Sequence, residues 1–186
     1  MLTNSKTILF NLNDNGNTLL MTAVFLPVAL GLLALTINVG TMYYAKSAYT
    51  GIANTATASG LSILGDKMVE IIQEKQDDDP SFTPVLPLED NLTDADRVFL
   101  TTDHTVVNDI KNTTEEYLQK NISSEAIMRN DFILKDIQID YPYEYHSGDD
   151  VAKVHLEFKV EAPISFIQDK EKQDILIKAE AQMKIK

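Results

Sequence analysis

The chain has no cysteine, which excludes a disulfide framework, thiol catalysis and cysteine-ligated metal. It leaves the redox compartment open. Glycine is scarce, and six of the seven glycines fall within the first 65 residues, a placement that suits close packing better than loops. Charge is missing altogether from residues 15–45, and residues 1–46 contain only Lys6, Asp14 and Lys46. Basic side chains are outnumbered, 16 against 28 acidic ones, for a net charge of −12. The imbalance lies in residues 47–186, which hold 27 of the acids and 14 of the bases. Phosphate backbones and anionic surfaces repel such a segment, so nucleic acid is not an expected partner. A length of 186 residues suits one domain, or one domain with an appendage, and a 44% apolar share excludes a wholly disordered chain.

Within the uncharged window lies a run of membrane length. Residues 19–39 are apolar except for mild interruptions at Thr22, Pro27, Gly31, Thr36 and Asn38. As a helix they span about 31 Å, against roughly 30 Å for the hydrocarbon layer of a bilayer. A cleaved signal peptide has a basic start, a shorter apolar run and a small-x-small site close behind it. Here the leader offers Lys6 alone, and Ala56-Thr57-Ala58 lies well past the run. A retained single-span anchor is expected. The flanking basic residues are too few to orient it by the positive-inside rule.

At 100° per residue, Ala23, Pro27, Gly31, Ala34 and Asn38 fall within about 40° of one line. Small residues and one amide on a single stripe suit close helix association in lipid, although such residues are also common in membrane helices generally. Pro27 removes the hydrogen bond to the Ala23 carbonyl and favours a kink. The stripe continues through Thr41, Ala45, Ile52, Ala56 and Ser59, and residues 45–64 carry only Lys46 as a charge. A helix without a charged face needs a cover. The cover is either the chain's own C-terminal half or identical helices in a homo-oligomer. Gly40, Gly51, Gly60 and Gly65 are places where the helix is expected to bend or break.

The order of residues here resembles a known family. Gly16-Asn17-Thr18-Leu19-Leu20 leads to Leu26-Pro27-Val28-Ala29-Leu30-Gly31-Leu32, then Asn38-Val39-Gly40, Tyr43-Tyr44-Ala45-Lys46-Ser47 and an Ala- and Thr-rich run to Gly60. This resembles the amino-terminal segment of the TadE/TadG-like proteins that accompany Flp (tight-adherence) pili, over about residues 14–65. Two departures stand out. Asn38 fills a position that is acidic in the family, and Met21 stands where pilins cut by prepilin peptidase have Glu. The Asp-x-Ser-x-Ser motif of the long G-type members is missing, so the likeness is to a short form. The resemblance implies a bacterial inner-membrane, single-pass protein whose C-terminal domain is extracytoplasmic. It also implies pilus-assembly or pilin-like partners through the N-terminal helix.

Beyond the helix, Asp77-Asp78-Asp79-Pro80 with Pro84 and Pro87 reads as an acidic, proline-rich linker, a solvated break rather than a calcium site. Residues 94–100 are expected to form a short helix started by Thr93. Val106, Val107, Ile110, Tyr117, Leu118 and Ile122 recur at helical spacing over 104–122. Three period-two runs follow: Ile137, Ile139 and Tyr141; Val154, Leu156, Phe158, Val160 and Ala162; Ile175, Ile177, Ala179, Ala181, Met183 and Ile185. They predict an antiparallel sheet with one buried and one wetted face. His155 falls on the wetted face. The predicted architecture is α+β, a long N-terminal transmembrane helix followed by a small sheet of three or four strands with one or two helices, a pilin-like layout. Its divisions are 1–17 cytoplasmic, 18–45 transmembrane, 46–76 juxtamembrane helix, 77–102 linker and 103–186 an α+β domain.

No Gly-x-x-x-x-Gly-Lys loop, Gly-x-Ser-x-Gly elbow or His-Glu-x-x-His pair occurs. A metal trio of His146, Asp149 and Asp150 competes with a plain charged turn at Gly148. No carboxylates are placed in a pair by the sequence, and neither catalysis nor a cofactor is expected. Tyr141, Tyr143 and Tyr145 share one side if their strand continues past Pro142, which makes them a candidate contact surface against the simpler reading of packing or a hairpin loop. The function these readings point to is a non-enzymatic, membrane-anchored component of Flp/Tad pilus assembly. The alternative is a single-span envelope binding or sensor module unrelated to pili.

Overall fold

A computed structural model describes residues 5–124, 133–146, 148–163 and 172–186; the first four residues of the expected cytoplasmic segment lie outside them. Helix α1 runs from Ser5 to Asp78, 74 residues and about 110 Å long. It passes without interruption through Pro27 and all four glycines at which a bend or break was expected. The divisions expected at 17/18 and 45/46 are therefore positions along one helix. Its threonines suit an apolar setting: the Thr22, Thr36 and Thr41 hydroxyls each donate to the carbonyl one turn back, at 2.8–2.9 Å.

Two short helices follow the turn. Helix α2, Asp94–Thr102, opens with a capping box in which the Thr93 hydroxyl accepts from the Asp96 N–H and the Asp96 carboxylate accepts from the Thr93 N–H. Helix α3, His104–Ser124, starts at Asp103, whose carboxylate accepts from the Thr105 and Val106 N–H groups. Residues 77–87 of the stretch expected to be a linker are mostly exposed, and its later part is tied to the head. Asn91 holds Val85 at both its N–H and its carbonyl, and Leu92 is buried.

Strands β1 (Ile133–Asp140), β2 (Val151–Pro163) and β3 (Lys172–Lys184) form one antiparallel sheet in the order β1-β2-β3. Helices α1 and α3 lie side by side over one face of it, so the architecture is α+β, as the periodicity required. The core has two parts. Nearer the N-terminal end of α1, Ala45, Tyr49, Ile52 and Ala56 pack with Leu118, Phe158, Val160, Ile175 and Ile177. Further along α1, Leu61, Leu64 and Met68 pack with Leu100, Val106, Ile110, Tyr141, Val154 and Ile185. Tyr49 meets the Phe158 ring edge-on at 6.2 Å, and burial pushes its hydroxyl pKa up to about 12.

Three side-chain expectations are corrected. Tyr117 is exposed; the inward stripe of α3 is Val106, Ile110, Thr114 and Leu118, spaced by four, and the small Thr114 fits where α1 presents Gly60. Ile137 is 39% exposed because β1 gains one residue between Lys135 and Gln138, with Asp136 at φ 54°. That bulge moves the inward positions from Leu134 to Ile139, breaking the period-two parity. His155 does fall on the face away from the helices, yet it is buried. The Tyr143 ring lies flat on it.

Candidate membrane-spanning and helix-packing surface

Among the described residues one helix is long and apolar enough to cross a membrane. Along 21–41 it touches almost nothing of its own chain. Met21, Val24, Phe25, Leu26, Val28, Leu30, Leu32, Leu33, Leu35, Ile37 and Val39 are each more than half exposed. A contiguous apolar surface of this extent, far above the few hundred Å² common on soluble monomers, requires lipid or protein around it. On the small-residue stripe, Ala23, Pro27 and Gly31 are exposed and Ala34 and Asn38 half-buried. A Cβ added at Gly31 would meet nothing within 4 Å, so that face is open to another helix.

The outer part of the stripe has a different fate. Ala45, Ile52 and Ala56 are buried in the first part of the core, Ala56 completely. Their cover is the chain's own sheet and α3, one of the two covers the uncharged face required. These three positions are withdrawn from any interface with a partner helix. The part of the stripe that the chain itself leaves uncovered is Ala23, Pro27, Gly31, Ala34 and Asn38.

The three tyrosines do not form one surface. β1 ends at Asp140, and the chain turns through Pro142 and Glu144, the latter at φ 49°. Tyr141 faces inward, its hydroxyl donates to the Leu100 carbonyl at 3.0 Å, and burial raises its pKa. Tyr145 is half-buried against the second part of the core. Tyr143 stacks on the His155 imidazole with ring centroids 4.3 Å apart and planes 17° from parallel.

That stack belongs to a polar cluster on the outer sheet face which spacing alone did not reveal. His155 Nδ1 lies 3.1 Å from a carboxylate oxygen of Glu180, its cross-strand neighbour on β3, and Nε2 lies 3.7 Å from Glu157. Lys178 approaches the Glu157 carboxylate to 2.6 Å and holds its pKa below the usual range. Lys178 thus balances Glu157, while Glu180 is held by the His155 ring. Lys135 pairs with the buried Glu161 in the same way, and Lys159 with Asp136 at 2.7 Å.

The His146, Asp149 and Asp150 trio is not assembled. The Asp149 carboxylate accepts the His146 N–H at 2.6 Å across the turn at Gly148, while Asp150 faces Lys186. Among the described residues no group of three His or carboxylate side chains is placed to hold a metal ion. Asp79 is engaged by the Ser81 N–H and hydroxyl, which keep its pKa low. The geometry offers an uncharged rod joined to an acidic α+β head. No family model, curated protein or solved structure matches this chain.

Proposed function

We propose that this chain is a membrane-anchored, non-enzymatic component of Flp/Tad-type pilus assembly that acts by helix packing. The anchor sits in a bacterial inner membrane with the head on the extracytoplasmic side, as the likeness of residues 14–65 to TadE/TadG-like proteins implies. The observation that supports it is the division of α1. Its outer half is committed to its own head, and its inner half presents an uncharged stripe with no intramolecular partner. In lipid such a stripe associates through close backbone approach, and the partners it suits are other pilus-machinery helices or further copies of itself.

Gly31→Glu tests this reading. The expected result is loss of co-purification with the pilus machinery and loss of piliation, with the head still folded, since Gly31 touches nothing in the chain. Unchanged piliation would favour the envelope binding module instead. Cysteine cross-linking gives a second readout: Ala34→Cys should cross-link to a neighbouring helix in membranes, and Ala56→Cys should not, because Ala56 is enclosed.

A further inference from the structure

The junction between rod and head is abrupt. The apolar run ends at Val39, and Ala45, six residues on, is already 6% exposed within the core. Six helical residues rise about 9 Å, close to the ~5–8 Å headgroup layer on one side of a bilayer. No stalk separates the two. In that gap Tyr43 is 77% and Tyr44 56% exposed, and Lys46 supplies the first charge after the uncharged window. Tyrosine rings favour the membrane–water interface, where one end is apolar and the other wet, and lysine reaches anionic headgroups.

Along α1 charge is graded in the sense this placement requires. After Lys46 the next acid on α1 is Asp66, 20 residues and about 30 Å further, nearly four Debye lengths of about 8 Å at physiological salt. On the sheet's outer face the acids Glu161, Asp136 and Glu157 each pair with a lysine. The carboxylates of 77–79 and 89–96 follow at the far end of α1.

From these observations we infer that the head seats directly on the lipid surface through a collar of Tyr43, Tyr44 and Lys46, with the acidic end of α1 turned away from the membrane. The inference rests on the membrane-anchor part of the reading above. The chain has no tryptophan, so single reporters are available in the full-length protein. Phe25→Trp, Tyr43→Trp, Tyr44→Trp and Phe99→Trp would each be reconstituted in phosphatidylcholine–phosphatidylglycerol vesicles carrying nitroxide at the headgroup or at the acyl-chain end. The Tyr43 and Tyr44 reporters should lose fluorescence to the headgroup label, the Phe25 reporter to the chain-end label, and the Phe99 reporter to neither. If the Phe25 reporter is quenched and both collar reporters are not, the head stands off the bilayer and the seating is wrong while the anchor survives. Quenching of the Phe99 reporter by the headgroup label would mean that the head lies on its side, which also overturns the seating. An unquenched Phe25 reporter would remove the anchor, and the seating with it.

Discussion

Gly60 and Thr114 show how much a single atom decides where α1 meets α3. A Cβ at Gly60 would run into the Thr114 hydroxyl and come within 3.0 Å of the Ile110 carbonyl, and that hydroxyl is held by its own bond to Ile110. Alanine normally favours a helix by about 1 kcal/mol over glycine. Here overpacking, at roughly 1–3 kcal/mol, works against that gain. Gly60→Ala should lower the denaturation midpoint of the head, and adding Thr114→Ala should recover part of the loss. Gly51→Ala, with open space around it, should raise stability by up to about 1 kcal/mol. Acid sensitivity is also settled residue by residue. Burial works against ionisation of Asp96, but the Lys75 ammonium and the Thr93 N–H and hydroxyl outweigh it and hold the carboxyl below its ordinary range. Asp103 is likewise held low, by the Val106 and Thr105 N–H groups. For a lowered carboxyl, the stabilisation is complete above the unfolded value near 4 and fades as pH falls through the folded value. Thermal unfolding of the chain should therefore be flat from about pH 5 to 7 and weaken below about pH 4. Asp96→Asn should reduce stability at pH 7 and make that acid limb shallower.

Among the elements, β1 departs furthest from its sequence pattern. Ile137 and Ile139 are two apart and apolar, yet the extra residue at Asp136 leaves one exposed and sends the other between the two parts of the core. Ile137→Ala should change stability by less than about 0.5 kcal/mol. Ile139→Ala should cost on the order of 2 kcal/mol, at the lower end for a truncated core isoleucine because it is half-buried. Chemical denaturation of the two variants separates them, and equal effects would argue against the bulge. The α2 start was legible, since Thr93 and Asp96 carry the capping box in their spacing. Strands β2 and β3 were legible too, as their alternation is unbroken where the ladder is regular. The burial of Thr114 in place of Tyr117 was not, because a helix's inward stripe depends on what the facing helix presents.

At the scale of the whole molecule, α1 belongs to two environments. Its inner half carries side chains that water rejects, and its outer half forms one layer of the head. The two halves share a backbone and little else, so deleting residues 1–40 should leave a water-soluble head whose unfolding temperature matches that of the full chain in detergent within a few degrees. A fall beyond that would show that the inner half supports the head. The truncated head should also lose vesicle binding, since what remains beyond Lys46 is strongly acidic.

The sequence by itself determined the rod, its uncharged stripe and the α+β order, because hydrophobic periodicity and the distribution of charge are local properties that survive any packing. Tertiary structure alone decided how the stripe is shared out. The sheet and α3 take Ala45, Ile52 and Ala56 and leave Ala23 to Asn38 uncovered. The same holds for the fates of the tyrosines and of His155. Which surface a small or aromatic side chain serves depends on the element that arrives opposite it, and contacts between residues far apart in the chain are written in no local pattern.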